Sequence, residues 1–176
     1  MDDYNKNEQK VLNKLFSNPT SKFHIRELAR IVKLNPNTII NIINKLEKQA
    51  IVEKKQKKHI TEISLNLENK ETIWKKRIFN LSKIYSSGII KYISKAYSPN
   101  SISLIGSYSR GEDIEKSDID IVILTKKKDE KPLDLTKFEK IFSKNIHLII
   151  TRKEKISNEF FNNLINGIIL YGAISK

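Results

Sequence analysis

The chain has 176 residues, 39% of them hydrophobic, no cysteine and a formal net charge of +13. That length suits one ordinary domain or two small ones, with enough apolar content for packed cores rather than global disorder. A disulfide scaffold and a thiolate zinc site are excluded, and no apolar run reaches the roughly 18–20 residues of a membrane span.

The first residues, Met1-Asp-Asp-Tyr-Asn, are acidic and polar, unlike a secretory leader. With the missing cysteine they lead us to expect a cytoplasmic protein. His24, His59 and His147 lie too far apart for metal-ligand spacing. Residues 1–77 carry a net +8 and residues 78–176 a net +5. A field of this size favours a polyanionic partner, although a Lys-, Asn- and Ile-rich composition alone would also produce it.

In chain order, Val11, Leu12, Leu15 and Phe16 share a helical face, and Asn18-Pro19 ends that helix. Ile25, Leu28, Ala29 and Val32 form a second, shorter amphipathic helix. Asn35 suits an N-cap and Pro36 the first position of a third. There Ile39, Ile42, Ile43 and Leu46 face inward, while Asn37, Thr38, Asn41, Asn44, Lys45 and Lys48 face out. Ile51-Val-Glu53 and Ile60–Leu65 read as two strands joined by Lys54-Lys-Gln-Lys-Lys-His59.

Three short helices and a basic-tipped hairpin resemble a winged helix-turn-helix domain over roughly residues 5–67. The resemblance implies DNA as partner. Asn37, Thr38, Asn41 and Lys45 would face base edges, and Lys54, Lys55, Lys57 and Lys58 would meet phosphates. Winged helices also dock proteins, and a lysine run also makes a solvated turn.

From Lys70 to Tyr97 the pattern is helical, with Trp74, Ile78, Leu81, Tyr85, Tyr92 and Ala96 recurring at steps near three and four. Ser86-Ser-Gly88 splits this connector. The stripe serves either to pack two domains together or as a homodimer seam. Ser101–Ile105 then reads as a buried strand, and Gly106-Ser107 turns at its end. Ten residues later Asp118-Ile-Asp120 opens a second strand, with both carboxylates on one face and Ile119, Ile121 and Ile123 in the core. Adjacent carboxylates repel unless a cation lies between them, and Mg²⁺ carrying nucleotide phosphates is the natural candidate.

Gly106-Ser107, the ten-residue gap, Asp118-x-Asp120 and the ending Gly167-Ile-Ile-Leu-Tyr171 resemble the minimal nucleotidyltransferases of the DNA polymerase beta superfamily. The resemblance covers roughly residues 99–172 and is of the archaeal and bacterial type. It implies transfer of a nucleoside monophosphate from a nucleoside triphosphate to a hydroxyl or similar acceptor, a protein among the candidates. Gly106, Ser107 and Arg110 would bind the nucleotide, and Asp118 and Asp120 would hold Mg²⁺ or Mn²⁺ and act in catalysis. Arg110 is equally suited to an ion pair with Glu112, Asp113 or Glu115.

The family carries a third carboxylate on a later strand. Here that strand is Asn145–Thr151, and His147 occupies the position. A histidine can act as a general base near neutral pH but is a poorer Mg²⁺ ligand. It is either a catalytic residue or a half-exposed strand residue in a degenerate site. Asp134 caps a helix containing Phe138 and Phe142.

The expected architecture is α+β: a winged helix at 1–68, a helical connector at 69–98 and a nucleotidyltransferase fold, a mixed sheet flanked by helices, at 99–176. The leading function is Mg²⁺-dependent nucleotidyl transfer coupled to DNA binding. The alternatives are a DNA-binding transcriptional regulator with a nucleotide-sensing domain and, from the family, an antitoxin of a toxin–antitoxin pair.

Overall fold

Asn5 begins the first helix by capping it. Its side chain accepts from the backbone of Asn7 and Glu8, and Glu8 reaches back to the Asn5 amide, so orphan donors at the helix start are satisfied reciprocally. The computed structural model describes residues 4–57, 60–126 and 132–174, with the side chains of Lys57 and Lys153 left aside. The chain divides into two compact units, Met1–Lys76 and Arg77–Lys176. Among the described residues no helix is long and apolar enough to cross a membrane.

The first unit holds α1 (Lys6–Ser17), β1 (Phe23–His24), α2 (Ile25–Val32), α3 (Pro36–Lys48), β2 (Val52–Lys57) and β3 (Ile60–Leu65). Asn35 caps α3 and Pro36 opens it, as the sequence indicates. Val11, Leu12, Leu15, Phe16, Leu28, Ile39, Ile43 and Leu46 are buried. The strands form an antiparallel sheet in the order β1-β3-β2. Residues 54 to 57 were expected in a connecting loop; instead β2 runs on through them, pairing Lys54 with Ile63 and Lys55 with Glu62. Cross-strand pairing supplies what the weak strand propensity of Lys and Gln does not. Lys58 and His59 lie outside the described residues.

α4 (Lys70–Ser87) breaks at Gly88, whose φ of +80° suits glycine, and α5 (Ile89–Tyr97) follows. Of the apolar stripe along α4, Trp74, Ile78 and Tyr85 are exposed in the single chain. Asn80 and Ile84 turn inward instead, because Asn80 finds buried polar partners described below.

The second unit continues with β4 (Ser101–Ile105), α6 (Gly106–Arg110), β5 (Ile119–Leu124), α7 (Thr136–Phe142), β6 (Ile146–Thr151), α8 (Asn158–Ile165) and β7 (Ile168–Gly172). They build a mixed sheet in the order β6-β5-β4-β7, with β5 and β6 parallel and the other pairs antiparallel. The whole is an α+β fold with helices against a mixed sheet. On one face Ile102, Leu104, Ile119, Ile121 and Ile123 pack with α5, Tyr108 and the α7 residues Phe138 and Phe142. On the other, Ile105, Val122 and Leu124 pack with Leu164 of α8. β5 is thus buried on both faces beyond Asp120, as expected of a strand inside a covered sheet. Asp134 accepts from the Thr136 amide at 3.0 Å and so supports the start of α7.

Candidate functional site

β4 ends at Ile105 and the chain turns at Gly106 into α6. Gly106 has φ +73°, and a Cβ placed there would lie 2.6 Å from Asp120 Oδ2. A glycine is required twice over: for the left-handed backbone and for the approach of the Asp120 carboxylate. Asp120 sits opposite Ile105 across the antiparallel β4–β5 pair, which brings its carboxylate to the turn. On its other side it is the register partner of His147 in the parallel β5–β6 pair. His147 Nδ1 lies 3.3 Å from Asp120 Oδ1. The carboxylate is held between the turn and the imidazole, partly buried, while His147 is mostly exposed.

Asp118 precedes β5 and is exposed. Its Oδ1 accepts from Asn145 Nδ2 at 3.2 Å, and the Asn145 carbonyl accepts from the Ile119 amide at 2.9 Å. Ser107 stands half-buried at the start of α6, its carbonyl accepting from the Glu112 amide at 3.0 Å. The structure therefore brings Gly106, Asp120 and His147 together, with Asp118 two residues before Asp120. Arg110 is not aimed at this group. It is exposed, and its Nε donates to Glu112 Oε2 at 2.6 Å.

Residues 87–175 match the family model described as polymerase beta, nucleotidyltransferase. The chain belongs to this nucleotidyltransferase family. No curated protein matches it. A nucleotidyltransferase function in general terms, with a nucleotide substrate, follows from that membership. The superfamily generally uses a divalent metal, and the residues present can be tested against one. Among the described residues no three His, Cys, Asp or Glu side chains converge on one point, so no protein-only cage is preformed. Mg²⁺ needs no such cage, since it commonly keeps several waters and binds through one or two carboxylates plus substrate phosphates. Asp118 and Asp120 fit that demand.

Beneath the loop from Gly111 to Asp118 lies a polar cluster that sequence reasoning missed. Asp113 is buried, accepting from Asn80 Nδ2 at 2.7 Å and lying 3.3 Å from Lys144 Nζ. Asn80 also donates to the Tyr108 carbonyl at 3.0 Å. Lys144 Nζ donates to the carbonyls of Ile114 and Ser117. Burial, with the Asp113 carboxylate beside it, pushes the Tyr108 phenol well above its ordinary range. Burial, and then the charge of Lys144, lower the Lys83 ammonium, against the opposing pull of Asp113. The members are spread from position 80 to 144, with no local spacing to announce them. A polar cleft of about 360 Å³, lined by Glu115, Lys116, Glu139 and Lys140 among others, opens beside the cluster and shares Asn145 with Asp118.

In the first unit Asn37, Asn41 and Lys45 are exposed on α3 and Thr38 is half-buried. Two candidate lysines already have partners. Lys45 Nζ donates to Glu8 Oε1 at 2.8 Å, and Lys54 Nζ lies 2.6 Å from Glu47 Oε2 and 2.9 Å from Asn44 Oδ1. Lys55 is exposed and only loosely paired, 3.9 Å from Glu53.

Proposed function

We propose that the protein transfers a nucleoside monophosphate from a nucleoside triphosphate to an acceptor hydroxyl, in the presence of Mg²⁺ or Mn²⁺, and that its first unit binds DNA. The observation that carries the transfer reading is Asp120 pinned between the Gly106 α-carbon and His147. Asp118 and Asp120 would hold the metal, which neutralises phosphate charge when bound. Gly106 and Ser107 receive the donor phosphates, the glycine by leaving room for them and the serine through its hydroxyl. If Nδ1–H donates to Asp120, the lone pair lies on His147 Nε2, placed to take the acceptor proton as a general base. The acceptor oxygen then bonds to the α-phosphorus, and the bond to the β-phosphate oxygen breaks to release pyrophosphate. The test is incubation with α-labelled nucleoside triphosphates, Mg²⁺ and cell extract. Labelled acceptor is expected from the native chain and not from Asp118→Ala/Asp120→Ala. Absence of label, or label that survives the double substitution, refutes transfer.

Residues 1–68 act as a winged helix in this scheme, 69–98 as a connector and 99–176 as the transferase domain, in a cytoplasmic protein. The polar face of α3 and the exposed Lys55 support DNA contact. Trp74, Ile78 and Tyr85, exposed at steps of four and seven along α4, support self-association into a dimer. Each phosphate neutralised on duplex DNA should contribute about −0.9 to the slope of log affinity against log salt. A flat salt dependence, or one unaltered when Lys54, Lys55, Lys57 and Lys58 become Ala, argues against the wing. A second reading, a DNA-binding regulator that senses nucleotide without turning it over, is favoured by the Arg110–Glu112 pair and by the histidine at position 147. It predicts nucleotide-dependent DNA affinity with no labelled product.

A further inference from the structure

We infer that Lys144 and Asn80 are positioning residues for this site, acting through buried Asp113 to set the Gly106–Ser107 turn and the Asp118 and Asp120 carboxylates in mutual register. The inference presupposes nucleotidyl transfer at this site and adds residues to it. Asp113 and Lys144 keep only 2% and 6% of their side chains exposed. Such a pair persists where further hydrogen bonds satisfy the remaining polar atoms of both partners.

Both partners have them, and each set leads to a different half of the site. On one side Asn80 joins Asp113 to the carbonyl of Tyr108, inside α6, the element that begins at Gly106. On the other, Lys144 Nζ holds the carbonyls of Ile114 and Ser117, the latter directly before Asp118.

The segment entering β6 repeats the pattern. Lys144 grips Asp113, Asn145 grips Asp118 and His147 faces Asp120. Three side chains within one four-residue stretch thus engage three carboxylates, two of them the proposed metal ligands. Asp113 touches neither substrate nor metal in this scheme, yet displacing it moves both halves of the site.

A purely structural role would lower stability but leave binding by the folded molecule intact. The experiment is titration of the full chain with Mn²⁺·ATP, at a temperature where circular dichroism shows every variant folded. Lys144→Met is expected to weaken binding about tenfold or more, as loss of a partner that orients metal ligands generally does. In an Asp118→Asn background the same substitution is expected to cost clearly less than in the native chain, because one of the carboxylates it positions has been disabled. Asn80→Ala, which removes the link from Asp113 to Tyr108 and leaves the Asp113–Lys144 pair, serves if Lys144→Met does not fold, with an expected loss of about threefold. Unchanged affinity in the folded variant overturns the inference, and so does an equal loss in both backgrounds. A native chain that binds no Mn²⁺·ATP overturns the transfer proposal itself, and the inference with it.

Discussion

Replacing Gly106 with alanine separates backbone strain from damage to the site. The new Cβ would lie 2.6 Å from Asp120 Oδ2, whereas ordinary contact begins near 3.4 Å, so something must yield by about 0.8 Å. The left-handed backbone costs a further 1–2 kcal/mol, roughly, for any residue with a Cβ. Removal of glycine's freedom in the unfolded chain offsets about 0.4–1 kcal/mol of that. Gly88 is the internal control: its φ is +80°, and a Cβ there meets nothing within 4 Å. Gly88→Ala and Gly106→Ala should both lose about 1 kcal/mol from the backbone, or roughly 2–4 °C in Tm for a chain of this size. Only Gly106→Ala should displace the Asp120 carboxylate. Its transfer rate should fall about 100-fold, since a misplacement near 1 Å can cost that much. Thermal unfolding and labelled nucleotidyl transfer by the two variants make the comparison. Equal transfer rates in both would refute the view that Asp120 depends on the glycine turn.

The Glu8 carboxyl would be raised by burial, but its bond to Lys45, the Asn5 amide and the Lys45 charge together leave it below its ordinary value. A lowered acid contributes stability above its unfolded pKa and loses it as pH falls through the folded one. Glu8→Gln should therefore cost about 1–2 kcal/mol at pH 7, with the gap from the native chain closing in acid denaturation below about pH 4. Lys83 has the opposite sign: its ammonium is lowered, so stability should rise with pH toward the ordinary lysine value. Lys83→Met should be neutral to stabilising at pH 7 and flatten that rise, and a loss above about 1 kcal/mol would count against it. If Arg110 serves phosphate, Glu112→Gln, which frees it from the 2.6 Å pair, should tighten ATP binding, and unchanged affinity assigns Arg110 to the ion pair alone.

The strands that carry the site were readable because their signals are local. Ser101–Ile105 and Ile119–Leu124 are apolar runs bounded by a glycine turn and an acid pair, and Asn35-Pro36 announces α3 with a cap. β2 was cut short because Lys54 to Lys57 have little strand propensity of their own, and the partner strand decides their conformation. The α4 stripe of Trp74, Ile78 and Tyr85 has core spacing, but periodicity cannot tell which of two faces is covered. α8 went unread because its apolar residues, Phe160, Phe161, Leu164 and Ile165, are few and set among Asn and Glu. The Asn80–Asp113–Lys144 cluster was invisible for another reason: each member looks like a surface residue in its own stretch of chain. Their pairing exists only once α4, the α6–β5 loop and the end of α7 come together.

The parallel pairing of β5 with β6 requires a crossover, and α7 lies within it. Its two ends differ in how much change in chain length they can absorb. One residue added between Ser143 and Lys144 would shift Lys144, Asn145 and His147 out of step with Asp113, Asp118 and Asp120 at a single stroke. The same residue added ahead of Leu133 would lengthen the crossover and leave those three pairings untouched. Insertion tolerance in this molecule should therefore fall steeply along the crossover, from permissive where it approaches α7 to forbidden where it enters β6.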